Sequence, residues 1–378
     1  MINPAEFDVP REYQPMSGLD EYLIHNNSLP IRAMVTSDPR AFERTWFSSV
    51  DRDGELLIVV GLGFYPNLDA ADAFAIVNHR GRHTTVRGQR RLGANRLDMR
   101  IGPIALEVVV PFRQWRLSLD PNEYGTGFQI DWFDSKLPVF RDGGTAIRGL
   151  ATLSPSAGYE SFGYQRGWVE VDGVRTEITP DRFRGSRDHH WGVRENVGGP
   201  SLRPGPLAGH AYSGEFVEFD EFALFARGIY FNRGDGRQGS SLRRASRRLR
   251  FEPETNFVLS GEVDLEFESG VTKRLTFNRM GNQIAFLRCG MYGGFGGRGG
   301  TPDGDIWHGQ FAGGDEVVVT GETYDVNDSA VRRRLAGLDD CVARFECEGE
   351  IAYGIVESVH PYSYEAAREG RAGLALLG

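Results

Sequence analysis

Gly185-Ser-Arg-Asp-His-His-Trp-Gly-Val-Arg194 (GSRDHHWGVR) gathers two adjacent histidines, a carboxylate, two arginines and a tryptophan between glycines, just past the middle of a 378-residue chain. In an extended segment, successive side chains point to opposite faces. Read that way, His189 and Trp191 share one face, and Asp188 and His190 share the other. One face can line a cavity. The other can hold Arg187, Asp188 and Arg194 as a structural ion-pair network that staples two domains together.

Outward from this stretch the chain reads as short strands and tight turns. On its N-terminal side, Phe42–Val50 alternates, Asp53-Gly54 turns, and Glu55–Tyr65 (ELLIVVGLGFY) runs apolar, which is a hairpin signal. Ala73–Asn78, Arg82–Arg87, Arg96–Arg100, Ala105–Val110, Gln114–Leu119 and Gly127–Phe133 follow as strands, and Asp172-Gly173 marks another hairpin. On the C-terminal side the same grammar returns from Ala211 to Ser358, with one helix at Asp328–Ala336 capped by Asp328. A short helix is expected near Leu19–Ile24, and a bulge or close approach at Gly354. Helices between strands are missing, which argues against a parallel α/β sheet. With 49 glycines in frequent turns and roughly eight short strands in each half, the expected class is all-β, antiparallel sandwiches or barrels with few short helices. The proline- and glycine-rich SLRPGPLAG near Pro200–Gly209 divides them. That gives an N-terminal arm at 1–40, a first β domain at 41–199 and a second at 200–378.

Composition narrows the function classes. Hydrophobic content is 40% and charged content 25%, as in a globular protein. A formal net charge of -9 argues against nucleic acid or an anionic membrane as main partner. Three cysteines give no disulfide framework; Cys341 and Cys347 would lie roughly 20 Å apart if extended, so reduced, buried thiols are expected. No signal peptide or apolar run of membrane-spanning length is visible, and the expectation is a cytoplasmic chain without stable membrane insertion.

Candidate sites differ in weight. The glycine-rich Cys289–Gly300 stretch lacks the Walker lysine pattern and reads as a flexible loop. The basic run Arg243–Arg250 reads as a solvated strand face. Adjacent histidines on a strand point apart and no metal-ligand spacing is present, so no metal is assigned. No nucleophile elbow is present. General acid-base chemistry suits Asp188, His189 and His190, because a histidine oriented by a carboxylate moves protons near neutral pH. Trp191 and nearby tyrosines can stabilise positive charge.

The RDHHWGVR segment resembles the R-D-H-S-W-G-x-R signature of the lipocalin-like carotenoid 1,2-hydratase (hydroxyneurosporene synthase) and AttH superfamily. The FYPN stretch at Phe64–Asn67 and the YGIVE stretch at Tyr353–Glu357 agree with it. The resemblance implies two lipocalin-like (calycin) barrels with the motif near their junction. It also implies hydratases of isoprenoid double bonds, or cyclases, as relatives. It maps site roles to His189 and Trp191, and a Tyr-x-Asp pair to Tyr230 and Asn232. The amide at Asn232 cannot supply the proton of a carboxylic acid. Asp188, Glu215, Glu218, Asp220 or Asp235 are the candidate replacements. His190 stands where the family has serine.

The expected function is a cofactor-independent lyase, hydratase or dehydratase, acting by acid-base catalysis on a hydrophobic terpenoid or steroid-like substrate in a cavity at the domain junction. Asp188, His189, His190, Trp191 and Tyr230 are the catalytic candidates; Asn232, Tyr212, Trp307 and Tyr292 are the substrate-binding ones. A non-catalytic lipophilic-ligand carrier and a cyclase or isomerase of a polyene or polyketide stay open, as does a homo-oligomer.

Overall fold

The computed structural model describes residues 17–135, 139–142, 146–148, 151–153, 156–194, 196–200, 212–220, 222–225, 229–232, 238–293, 306–310 and 313–378, the side chains of 139–153, 212–213 and 229–241 excepted. The first half forms β1 (Ala41–Asp51), β2 (Leu56–Tyr65), β3 (Ala70–His79), β4 (Arg82–Arg91), β5 (Arg100–Ile101), β6 (Ile104–Val110), β7 (Gln114–Leu119), β8 (Thr126–Asp134), β9 (Val139–Asp142), β10 (Ala146–Arg148), β11 (Ala151–Leu153), β12 (Ser156–Val171), β13 (Val174–Ile178) and β14 (Phe183–Val193). The second half forms β15 (Tyr212–Glu218), β16 (Phe222–Phe225), β17 (Ile229–Asn232), β18 (Gln238–Phe251), β19 (Val258–Phe267), β20 (Thr272–Phe286), β21 (Val318–Asp325), α1 (Ser329–Leu335), β22 (Leu338–Cys347), β23 (Glu350–Val359), α2 (Tyr362–Arg368) and β24 (Leu374–Leu376).

The fold is all-β, in two curled sheets. The first runs β21-β4-β3-β2-β1-β14-β12-β8-β7-β6-β5, antiparallel throughout, and curls until β5 lies beside β3 and β4. Its interior is filled by Phe47, Val60, Trp115, Phe128 and Trp132. The second runs β17-β16-β15-β23-β22-β20-β19-β18, and β17 pairs back onto β18, so eight strands close into a ring. β24 adds to β18 in parallel.

Patterning explains the layers. β7 (QWRLSL) alternates between half-buried and buried because only one face meets the core. β2 (LLIVVGLGFY) is buried at every residue: Ile58 and Val60 fill the first barrel, while Leu57 and Val59 turn toward the second. A continuous apolar run is what a strand between two cores requires. Trp46, Val59 and Phe162 meet Phe216, Val342 and Ile355 across this junction.

The junction is tightly filled where Ser48 and Ser186 face Phe216 and Ile355. A cavity of about 10 Å³ remains there, room for one water at most. The apolar cavity expected at the junction is not found at this end, because aromatic side chains from both sheets occupy it.

Most turn and cap signals appear where expected. Asp172 and Gly173 adopt φ of 50° and 79° between β12 and β13, as a tight hairpin demands. Asp328 caps α1 by accepting from the Ala330 N–H at 2.8 Å. Three expectations need correction. Leu19–Ile24 holds only a 3₁₀ turn, Gly18–Glu21, closed by a Ser17–Asp20 capping box. Arg96–Arg100 is mostly a turn: Asn95 accepts from the Leu97 N–H at 3.0 Å, and only Arg100 joins a strand. The Arg243–Arg250 run is not wholly solvated, since Arg247 makes two 2.9 Å hydrogen bonds to buried Glu215. The division of the chain is also less clean than a cut near residue 200. β21, from the second half, pairs with β4 and completes the first sheet.

Candidate functional site

β14 lies between β1 and β12. Trp191 stands opposite Glu43, His189 opposite Thr45 and Tyr159, His190 opposite Arg44 and Gly158, and Asp188 opposite Trp46 and Glu160. Directly opposed residues share a face. So Arg187, His189 and Trp191 look into the first barrel with Tyr159 and Glu43. Asp188 and His190 look outward with Arg44 and Glu160.

The inward face is built from the floor up. Arg187 is fully buried and makes a two-point ion pair with fully buried Asp134, at 2.7 and 2.6 Å. Its guanidinium lies over the Phe47, Trp115 and Tyr159 rings. Arg187 is thus paired with Asp134 inside the first barrel. One step toward the mouth, His189 Nδ1 is 3.0 Å from the Tyr159 hydroxyl and Nε2 is 3.1 Å from Glu43 Oε1. Arg96 donates to the other Glu43 oxygen at 2.6 Å. The Trp191 ring stands edge-on to His189 at 5.4 Å. Half-exposed Phe112 touches Tyr159 at 5.5 Å, so this end of the barrel opens to solvent.

Electrostatics fix the proton order. Burial raises the Glu43 carboxyl, but the His189 hydrogen bond and the Arg96 charge outweigh it and hold the group below its ordinary value. An ionised Glu43 only accepts, so Nε2 of His189 carries a proton toward it, and the tautomer this selects leaves Nδ1 to accept from the Tyr159 hydroxyl. Burial raises the Tyr159 phenol despite nearby Arg187, so it stays protonated. The result is a carboxylate-imidazole-phenol line, Glu43 to His189 to Tyr159, at an open barrel mouth.

On the outward face, His190 Nε2 is 3.1 Å from Oε1 of fully buried Glu160, and Nδ1 is 3.8 Å from Asp188. A Cβ on Gly158 would sit 1.9 Å from the His190 ring, so the ring occupies the space that this glycine leaves. Beyond lies a buried polar group. Arg44 donates to the Tyr292 hydroxyl, and the Arg44 and Arg194 guanidiniums lie 4.5 and 5.4 Å from the Tyr292 ring centre. His308 packs edge-on against Tyr292 at 4.5 Å, and burial with the Arg44 charge pushes it down to about 4. Across the junction, fully buried Asp340 stands opposite Glu357 on β22 and β23, and burial raises it well above the carboxylate range.

A family model described as a family of unknown function, DUF8625, matches residues 16–331. The chain belongs to DUF8625. No curated protein matches this DUF8625 chain. Among solved structures it is similar to a protein described as AttH from Nitrosomonas europaea, at 12% identity over 84% of this chain and 91% of that one, with a TM-score of 0.46. It is also similar to kievitone hydratase from Nectria haematococca, at 11% identity over 84% and 89%, TM-score 0.40. A third likeness is to CghA with Sch210972, at 10% identity over 85% and 88%, TM-score 0.46. Likenesses of this order assign no activity. Among the described residues of the DUF8625 chain, no helix is long and apolar enough to cross a membrane. Among the described residues, no group of three or more His, Cys, Asp or Glu side chains is placed to hold a metal ion.

The catalytic and binding candidates of the DUF8625 chain are thus divided by β14. His189 and Trp191 are together at the barrel mouth; Asp188 and His190 are on the opposite face, nearer Tyr292 and Trp307, which bridge each other. The side chains of Tyr212, Tyr230 and Asn232 lie outside those described, as does Asp235. Of the candidate acids, Glu215 is bound to Arg247 in the second barrel, Glu218 accepts from the Ser135 hydroxyl at 2.8 Å, and Asp220 donates its backbone N–H to the Glu350 carboxylate. Sequence reading missed Glu43, Tyr159, Arg96 and Arg44. The one signal for the first was a glutamate inside the apolar alternation of AFERTWF, on the same face as Thr45 and Phe47.

Proposed function

We propose that the chain is a hydratase-type lyase whose proton transfers run through Glu43, His189 and Tyr159 at the mouth of the first barrel. The observation that carries this reading is the hydrogen-bonded line itself, with a carboxylate fixing the tautomer of a histidine whose other nitrogen faces a protonated phenol. Water adds across a carbon–carbon double bond in a hydrophobic, terpenoid or steroid-like substrate. Tyr159 gives its proton to one alkene carbon, and the water oxygen bonds to the other. The proton that the water sheds returns to Tyr159 through His189. Positive charge on the second carbon is stabilised by the Trp191 ring, an effect worth about 0.5–2 kcal/mol. The reverse sequence dehydrates the alcohol. No cofactor is needed for this balance.

The test is incubation with unsaturated isoprenoids in heavy-oxygen water, with products read by mass spectrometry. One heavy oxygen per product is expected from the wild type, and a loss of at least about 100-fold from Tyr159→Phe and His189→Ala. Absence of label in every product would overturn the reading. The carrier alternative is favoured by the amide at Asn232, and predicts ligand binding that survives both substitutions with no turnover in any form.

A further inference from the structure

We propose that the rim of the first barrel around Glu43, His189 and Tyr159 docks on the surface of a lipid bilayer with neutral headgroups. Two stretches far apart in sequence place uncovered apolar side chains on this one rim. The first is the turn at 110–113 between β6 and β7, closed by the Arg113 N–H donating to the Val110 carbonyl at 3.0 Å. On β6, Ile104 and Leu106 are buried in the barrel, but Val108 and Val110 beyond them are exposed, so the apolar row outlasts the core that it fills. Phe112 follows at φ 58°, a left-handed conformation that a bulky residue rarely adopts, and it is 51% exposed. A position suited to glycine thus carries an aromatic ring at the edge of the mouth. The second stretch is the loop 20–31, which the Ile31 N–H closes by donating to Asp20 Oδ1 at 2.7 Å. Within it, Leu23 is fully exposed and Ile24 half exposed. The loop is moored to the rim, since Arg96 donates to the Arg32 carbonyl at 3.4 Å and to Glu43 at 2.6 Å. From Phe112 through Tyr159, His189, Glu43 and Arg96 to Arg32, one line of contacts joins the two stretches.

Charge selects the kind of surface. Ionised groups beside both stretches are paired with one another: Arg116 with Glu107 at 3.5 Å and Asp131 at 3.0 Å, Arg32 with Asp69 at 3.7 Å, and Arg96 with Glu43. Arg113 and Glu21 add one exposed charge of each sign. Such a rim has little field with which to attract anionic lipid, and the chain carries a formal net charge of -9. Apolar side chains at two separate points can sink between the headgroups of a fluid surface, whereas a protein partner needs a continuous matching face. Docking brings the barrel mouth against the bilayer, where apolar molecules dissolve.

The docking stands whether or not the proton line at the rim is catalytic, and flotation of the intact chain with phosphatidylcholine vesicles tests it without any turnover. The wild type is expected to float with the vesicles. Phe112→Gly and Leu23→Ser are each expected to cut the bound fraction at least about fivefold. Phe112→Gly relieves the left-handed backbone, so its thermal midpoint should equal or exceed that of the wild type, which separates lost docking from lost folding. Val174→Ser removes an exposed valine at the opposite end of the barrel, beside the Asp172-Gly173 turn, and is expected to keep full binding. Failure of the wild type to float, binding to phosphatidylserine vesicles alone, or undiminished binding of either rim variant would each overturn the proposal. So would a dimer in sedimentation velocity that Phe112→Gly dissolves, since a second copy would then cover the rim.

Discussion

Glu43 decides which nitrogen of His189 holds a proton, and that choice has measurable consequences. Replacing it by glutamine keeps the shape but removes the charge that enforces the tautomer. Glu43→Gln is expected to reduce turnover about 10- to 100-fold while leaving substrate affinity within a few-fold. Its stability should also depend on pH. The folded carboxyl lies below its ordinary value of 4.5, so its contribution is present above that value and is lost as pH falls. Urea midpoints of wild type and Glu43→Gln should therefore differ at pH 7 and converge in strong acid. Deeper in the barrel, Asp134→Ala leaves Arg187 as an uncompensated charge with no exposed surface. A loss of about 3–5 kcal/mol is expected in urea titration. These pairings were not legible in the sequence. Alternation placed His189 with Trp191, but Glu43 lies 146 residues away and meets His189 only through the β1–β14 register.

At the scale of elements, local signals were readable and long-range ones were not. Asp328 before α1 and Asp172-Gly173 between β12 and β13 act within a few residues, and chemistry confined to a turn shows in the residues of that turn. The buried partner of Arg247 sits 32 residues away on β15, so the arginine run looked solvated when read alone. Gly354 is an intermediate case. Its need for space was legible, and the structure gives the reason: a Cβ there would lie 2.1 Å from the Phe216 carbonyl oxygen. Gly354→Ala is expected to force β15 and β23 apart and cost about 1–3 kcal/mol, seen as a lower thermal midpoint. A neutral outcome would mean that this strand pair yields without loss.

For the whole molecule, the two barrels are tied by polar links as well as by aromatic packing. His83, on β4, is fully buried and accepts the Phe286 N–H of β20 at 3.2 Å. Burial pushes it down to about 4 from an ordinary 6.5, and so the fold favours the neutral ring. Its contribution is full above 6.5 and declines as pH falls toward 4, because only the unfolded chain takes up the proton in that window. The wild type is expected to lose up to about 3 kcal/mol between pH 7.5 and 4 through this group, and His83→Gln is expected to flatten that dependence in urea titrations. The two barrels should also melt together. Five of the six tryptophans lie in the first half, so indole fluorescence reports mainly there while circular dichroism reports on both. Coincident midpoints are expected; separated ones would mean that the barrels unfold independently.

The strand that crosses between the halves sets a schedule for synthesis. β4 ends at Arg91, but its partner β21 begins at Val318, more than 200 residues later. At ribosomal speeds of about 5–20 residues per second, the edge of β4 waits roughly 10–45 seconds for its neighbour. During that interval the nascent chain presents an open row of backbone donors and acceptors, a surface on which a chaperone can act and a truncated product can aggregate. A premature stop between residues 194 and 317 thus harms the first barrel, although every other strand of that barrel has already been made.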